Sequence, residues 1–500
     1  MEQRQIRLGE RLGVADIDAI ARHGAAVTLA AAARERVERA YAFVRELARG
    51  ATPVYGLTTG CGPLSGNAIS PEQREAFQRN LIRSHACTLG APHPAELVRA
   101  AMAVRAQVFA LGGSGIDPAL VDLLTGMLDR GVHPIVREVG GVGASGDLVE
   151  LAQVALALLG EGEVEWRGSM RPARDALREA GLEPLVPRYR EGLALINGTS
   201  FHTGAAALLI ERARRIARAA EIAAALAFEA LGGHVEAFAG GLHAARPHPG
   251  QRAVAARLTG LLAGSRLVRR DEPAAPRQDA YTLRCIPQVL GTVVEAVDAA
   301  AEVTEIEINS ITDNPLFLVE ERRVLHGGNF HGQPVATSLD HLKVAMVELG
   351  VICERRLARL LDPALNGGLP PFLVRQPAGL HNGFMGLQYC ASAMAADNAV
   401  LAAPASVRSV PTNANNQDVV SMGMVAARQA ARVVDNAASM VAIELLCAAQ
   451  ALELRGVDKA ADATRDAHAV IRRHSATLDD DRPLTEDVDA VRRLIDESAF

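Results

Sequence analysis

Proline is absent from residues 201–246, 335–362 and 412–482, and no other feature of the chain constrains its architecture as strongly. A proline inside a helix removes a backbone hydrogen bond and clashes with the preceding turn, so long stretches without one are where long helices run. Within 335–362, Leu339, Leu342, Met346, Leu349 and Ile352 recur at three- and four-residue steps, the spacing of one helical face. Over 288–308, Leu290, Val294, Val297, Ala301 and Thr304 do the same. Helices of this length, many rich in alanine, are expected to pack side by side as a bundle. No fixed-period repeat points to a solenoid instead.

The first 200 residues read differently. Proline and glycine interrupt them often, as at Ala51-Thr52-Pro53, Gly112-Gly113-Ser114-Gly115 and Val132-His133-Pro134, so short helices and loops are expected there. This gives a loop-rich N-terminal domain over 1–200 and a helical bundle over 201–500. At 500 residues and 49% hydrophobic, the chain can bury a large core. Its net charge of −6, single Trp and five Tyr provide neither a basic surface nor a stacking platform, so no nucleic-acid partner is expected. The opening Met1-Glu2-Gln3-Arg4-Gln5-Ile6-Arg7 lacks the pattern of a secretory leader, and the expected location is the cytoplasm. The most apolar stretch, residues 222–228, is too short to span a bilayer, so no membrane partner is expected. Six cysteines without a CxxC pair read as reduced core thiols.

Chemistry is concentrated in a few strings. In Gly140-Gly141-Val142-Gly143-Ala144-Ser145-Gly146-Asp147-Leu148, attack of the Gly146 nitrogen on the Ala144 carbonyl with loss of two waters would give a five-membered ring. Ser145 would supply an exocyclic methylidene, and the ring would be a strong electrophile. An ordinary glycine turn feeding a helix is the competing reading. Asp147 followed by Glu150 has the spacing of a helix start, with Leu148, Leu151, Ala155, Leu158 and Leu159 as the apolar stripe. The tripeptide then sits at a positive helix end, which favours electron density on an acceptor.

Tyr55 lies at the edge of a glycine-rich loop and is either a packing residue or, with a lowered pKa, a base. Asn197 follows a buried-looking apolar run and is either a core hydrogen-bonding group or a substrate contact. In Gln278-Asp279-Ala280-Tyr281-Thr282-Leu283-Arg284, a helix would put Tyr281 and Arg284 on one face, where the arginine clamps a carboxylate or joins a surface salt bridge. Further polar strings are His326-Gly327-Gly328-Asn329-Phe330-His331-Gly332 and Asn413-Ala414-Asn415-Asn416-Gln417-Asp418. His326 and His331 lack the spacing of a helical metal pair, and no metal is expected. There is no phosphate loop or dinucleotide fingerprint, and Gly143-Ala144-Ser145-Gly146-Asp147 is not a hydrolase nucleophile elbow.

Together and in this order, these strings resemble the histidine/phenylalanine/tyrosine ammonia-lyase family, from about Leu8 to the last long helix. The resemblance implies a mainly α fold of fumarase/aspartase-like architecture: a long-helix bundle with an N-terminal loop-rich domain. It also implies a homotetramer whose active sites are shared between subunits, and 4-methylideneimidazol-5-one (MIO) formed from Ala144, Ser145 and Gly146. By the same resemblance, Tyr55 is the base, Asn197 stands beside the cofactor, and Gln278 and Tyr281 lie near the methylidene. Arg284 is the carboxylate clamp, Phe330 an aromatic lining residue, and Ser84 with His85 the selectivity pair. Asn416 and Gln417 are substrate-side residues, Gln417 standing where histidine lyases usually carry glutamate.

The flanks of the tripeptide and of Ser84-His85 look most like bacterial tyrosine ammonia-lyases, so the expected reaction is non-oxidative deamination of L-tyrosine to p-coumarate. Histidine ammonia-lyase, a tyrosine or phenylalanine 2,3-aminomutase, and an inactive helical assembly protein are the alternatives. Three departures from the family pattern stand out: Cys61 in place of the usual phenylalanine, His381-Asn382, and Val149-Glu150.

Overall fold

The computed structural model describes residues 5–50, 52–270 and 278–500. The fold is mostly helical, at 59%, as expected. It divides into two compact units, the first comprising Met1–Glu211, Ala300–Asp340 and Pro404–Gln429, and the second Arg212–Ala299, His341–Ala403 and Ala430–Phe500. Where the sequence suggests one boundary near residue 200, the chain returns to the first unit twice, and most of the crossings fall inside helices rather than linkers.

The four longest helices are Ser200–Ala230, Ile286–Ile308, Gln333–Leu361 and Gly423–Arg455. Two of them stop well short of the proline-free runs that contain them, because glycine ends them instead. Gly232 (φ +61°) and Gly456 (φ +100°) follow the last turns of Ser200–Ala230 and Gly423–Arg455 in conformations that side-chain-bearing residues avoid. Gly423–Arg455 is long and apolar enough to cross a membrane by composition, a length that residues 222–228 do not reach. Some 83% of its most apolar window is buried within the protein, which makes it a core helix.

The first unit is more helical than its glycine and proline content suggests, with Ala31–Leu47 and Ala95–Ala110 both running more than four turns. In Ala95–Ala110 nearly every side chain from Val98 onward is buried, and its alanines let Val14–His23 and Pro118–Arg130 pack close. The buried Arg105 on this helix donates to the carbonyls of Ala194 and Asn197, fixing the turn that ends helix Glu191–Ile196. Among the described residues four small sheets trim the unit, including the parallel pair of Gln5–Leu8 with Ala26–Leu29.

Helix Leu148–Leu158 begins where expected, but its burial runs almost all round rather than along one stripe. In the second unit, Arg356 and Glu444 form a wholly buried pair with contacts of 2.6 and 3.0 Å. The cysteines are free, but only Cys353 and Cys447 are core residues.

Candidate active site

The tripeptide occupies a tight turn before helix Leu148–Leu158. Gly143 (φ +89°), Ser145 (φ +47°) and Gly146 (φ +81°) all take left-handed conformations, and for serine that conformation is strained by about 1–3 kcal/mol. A Cβ on Gly146 would stand 2.0 Å from the Gly198 carbonyl oxygen, so only glycine fits. The close approach is used: the Gly198 N–H donates to the Ser145 carbonyl at 3.0 Å, and the Asp147 N–H donates to the Gly198 carbonyl at 2.8 Å. On the other flank the Met422 N–H donates to the Val142 carbonyl at 2.9 Å.

Asp147 is the N-cap of this helix, but its side chain makes no capping bond there. Glu150 turns away to accept from the Gly141 N–H at 2.7 Å. Asp147 caps a different helix, accepting from the N–H groups of Phe201 (2.7 Å) and His202 (3.0 Å) at the start of Ser200–Ala230. Two helix N-termini therefore converge beside Ser145, both favouring negative charge there.

In front of the turn lies a cavity of about 720 Å³ lined, among others, by Tyr55, Ser84, His85, Ser145, Asn197 and Gln417. Six residues singled out from distant parts of the sequence thus meet in one place. Helix Arg74–His85 brings Ser84 and His85, together with Asn80 one turn earlier, which sequence reasoning missed although the i, i+4 spacing from Ser84 could have shown it. The buried Gln78, also missed, joins three elements by donating to the Gly56 carbonyl (2.8 Å) and accepting from the Leu193 N–H (2.9 Å).

His85 Nδ1 lies 2.9 Å from the Leu81 carbonyl, which can only accept, and 3.0 Å from the Ser84 hydroxyl. In the neutral ring the proton is therefore on Nδ1, leaving the Nε2 lone pair as an acceptor for a ligand. Asn197 is buried, and its side-chain oxygen accepts from the Asn314 N–H at 2.7 Å, leaving its NH2 as a donor.

Gln417 lines the cavity and also touches the tripeptide. It arrives on a turn with Asn413, Ala414 and Asn415 all left-handed, accepts from Thr412 Oγ1 at 2.9 Å, and donates to Ser145 Oγ at 3.2 Å.

Tyr55 Oη accepts from the Gly62 N–H at 2.8 Å, and its ring meets His326 edge-on. Its pKa is raised, not lowered as the sequence reading supposed; burial is the main cause, with Cys61 adding to it against the Gly62 N–H. Burial also pushes the Cys61 thiol up to about 11.

Phe330 and Asn416 lie in the same unit but do not line the cavity. Gln278, Tyr281 and Arg284 belong to the second unit and form a group of their own. Arg284 donates to the Gln278 side-chain oxygen and stacks its guanidinium 4.8 Å from the Tyr281 ring centre, and Tyr281 is 70% exposed. Arg284 has no carboxylate partner among the described residues.

Behind the turn is a buried ionisable cluster that sequence reasoning did not find. His202 Nδ1 stands 2.7 Å from Asp147 Oδ1, both side chains wholly buried. Burial pulls the His202 pKa down, but Asp147 first, then Glu307 and Glu150, outweigh it and leave it raised. Glu150 is held at about 7, chiefly by burial and then by Asp147. The signal for this cluster was present only as a histidine five residues after Asn197, with nothing local to mark it.

Residues 12–473 match the aromatic amino acid lyase family. The histidine ammonia-lyase of Symbiobacterium thermophilum is 48% identical over 491 residues, covering 98% of this chain and 96% of the relative. The tyrosine ammonia-lyase of Cupriavidus metallidurans is 44% identical over 512 residues, with coverage of 98% and 96%. The crystal structure of tyrosine aminomutase from Streptomyces globisporus superposes with a TM-score of 0.94 at 37% identity, covering 99% of this chain and 97% of that one.

Proposed function

The chain belongs to the aromatic amino acid lyase family, and from that premise we propose that it eliminates ammonia from an aromatic L-amino acid whose ring carries a hydrogen-bond donor, using MIO made from Ala144, Ser145 and Gly146. The observation that carries this reading is the left-handed Ser145–Gly146 turn, open to the cavity and locked against Gly198 with no room for a side chain at position 146. These residues fit the ring: its three components are held in a bend, and Gln417 donates to the hydroxyl that must depart. When formed, the ring supplies an electrophilic carbon that turns the substrate amine into a better leaving group.

The chain's own groups then have distinct tasks. Tyr55 takes the β-proton, which requires its phenol to be ionised first. Asn197 donates its amide NH2 on the cofactor side, and His85 offers Nε2 to the substrate ring. Arg284, with no acidic partner among the described residues, holds the substrate carboxylate, with Gln278 and Tyr281 beside it. These three serve a site on a neighbouring subunit of a homotetramer. The apolar exposure of helix Met385–Leu401, with Tyr389 66% and Val400 78% exposed, supports such an assembly. Arg284→Ala is expected to cost about 2–5 kcal/mol in kcat/KM, by analogy with truncated buried charge pairs. Steady-state kinetics check it, and an unchanged kcat/KM would remove Arg284 from the site.

A donor on the ring is required because His85 presents an acceptor. Imidazole N–H and phenol O–H both meet it; a phenyl ring does not. That most close relatives carry the name histidine ammonia-lyase supports L-histidine as the first substrate. L-Tyrosine, the expectation from sequence, is the second reading, supported by the neutral Gln417 where a carboxylate would favour an imidazole. His85→Phe is expected to shift preference toward L-phenylalanine by about 10²-fold or more, since a site built to pair a donor rejects analogues without one. An unchanged preference would exclude His85 from recognition. The deciding experiment follows ultraviolet absorbance with L-histidine, L-tyrosine and L-phenylalanine in turn, because urocanate, coumarate and cinnamate absorb at different wavelengths. Absence of all three products would overturn the lyase reading, and a β-amino acid in a chiral assay would make the protein an aminomutase.

A further inference from the structure

His202 has no part in the chemistry above, yet it is the piece on which the surroundings of the tripeptide converge. Its Nδ1 holds one oxygen of Asp147 at 2.7 Å, while its own N–H and that of Phe201 hold the other. Asp147 directly follows Gly146, and its N–H reaches the Gly198 carbonyl while the Gly198 N–H reaches the Ser145 carbonyl. The imidazole also fills the junction with two later segments. A Cβ on Gly332 would stand 2.3 Å from its Cε1, and a Cβ on Gly423 would stand 2.9 Å from its Cγ. Three stretches distant in sequence therefore close on one buried ring.

We infer that His202 is a positioning residue for cofactor formation, holding Asp147 and through it the Ser145–Gly146 backbone in the bend from which the ring closes. The inference rests on the proposed self-made electrophile. In that step the Gly146 nitrogen bonds to the Ala144 carbonyl carbon, and the carbonyl oxygen departs as water with the amide proton and a second proton. The Ser145 hydroxyl departs as the second water, and loss of the Cα proton with it leaves the Cα–Cβ double bond. No oxidant or reductant is needed. The closure is intramolecular, so its rate depends on how much of the time the two reacting atoms are held together. Ser145 resists its left-handed conformation, and without an anchored Asp147 the turn relaxes away from closure.

A side chain that only filled the space would leave an Asp147 oxygen without its donor. The tests are therefore His202→Phe and His202→Leu, which fill volume, and His202→Asn, whose amide NH2 stands in for Nδ1–H. The measurement is the intact mass of each purified full-length protein, alongside circular dichroism and elution volume. Wild type short by two waters establishes that the ring forms; wild type at full mass would refute the cofactor reading itself.

Given wild-type ring formation, the expected result is a folded phenylalanine or leucine variant in which most chains keep the full mass, with the deficit largely restored in the asparagine variant. Turnover should fall in proportion to the chains lacking the ring. Complete ring formation in the apolar variants would overturn the assignment, as would an asparagine variant no better than they are. Failure of both apolar variants to fold, with a folded and fully matured asparagine variant, would also overturn it by making His202 a core residue only.

Discussion

Ser145→Ala is expected to lower turnover by about 10³-fold or more, equivalent to about 4 kcal/mol of barrier, while leaving the fold intact. Alanine keeps the Cβ and can take the same strained φ, so the turn against Gly198 has no reason to open. What disappears is the hydroxyl oxygen that accepts from Gln417 and that must depart to create the methylidene. Circular dichroism and elution volume should match wild type, the substrate should still bind, and product should not accumulate. Wild-type turnover in this variant would leave the tripeptide as an ordinary turn.

Tyr55→Phe should cost about 10²- to 10⁴-fold in kcat, the range for removing a general base, with KM little changed. The ring packing against His326 survives; only the oxygen that accepts from Gly62 is lost. The pH dependence gives the sharper readout. Burial, and then Cys61, hold the phenol pKa above its usual value, so the base form is scarce at neutral pH and grows as pH rises. The wild-type kcat/KM should therefore rise on the alkaline side through the Tyr55 titration, and the variant should lose that limb. Cations from a neighbouring subunit would move the limb to lower pH without reversing its sign. A wild-type profile that falls over the same range, or a variant that keeps the rise, would assign proton removal to another group.

The sequence carried those parts of the molecule that depend on local pattern. Absence of proline and three-to-four-residue apolar spacing gave the long helices, but glycine at 232 and 456, where two of them end, was not weighed against the proline-free runs. Tyr55, Ser145, Asn197 and Gln417 were legible because each sits in a short string of unusual composition, whereas Ser84 and His85 came from the family resemblance. What those side chains do was less legible, since it depends on neighbours far along the chain.

The Asp147 side chain looked like the cap of its own helix and instead caps the one that begins at Ser200. Gln417 reads as a substrate-side residue and lines the cavity, but its bond to Ser145 Oγ has no signal in its own string. Tyr55 looked like an acidified phenol, but burial raises its pKa. His202 left no trace in sequence at all, because its meaning comes only from Asp147, Gly332 and Gly423 folding around it. Phe330 and Asn416, whose strings stood out in sequence and whose roles came from the resemblance, do not line the cavity.

The central claim is that Ala144, Ser145 and Gly146 become an electrophile, and intact mass spectrometry of the purified wild-type chain tests it most directly. The account predicts a mass lower than the sequence value by two waters, with the deficit mapping to a peptide containing residues 144–146 and absent in Ser145→Ala. A wild-type chain at its full sequence mass, with both waters retained, would contradict it.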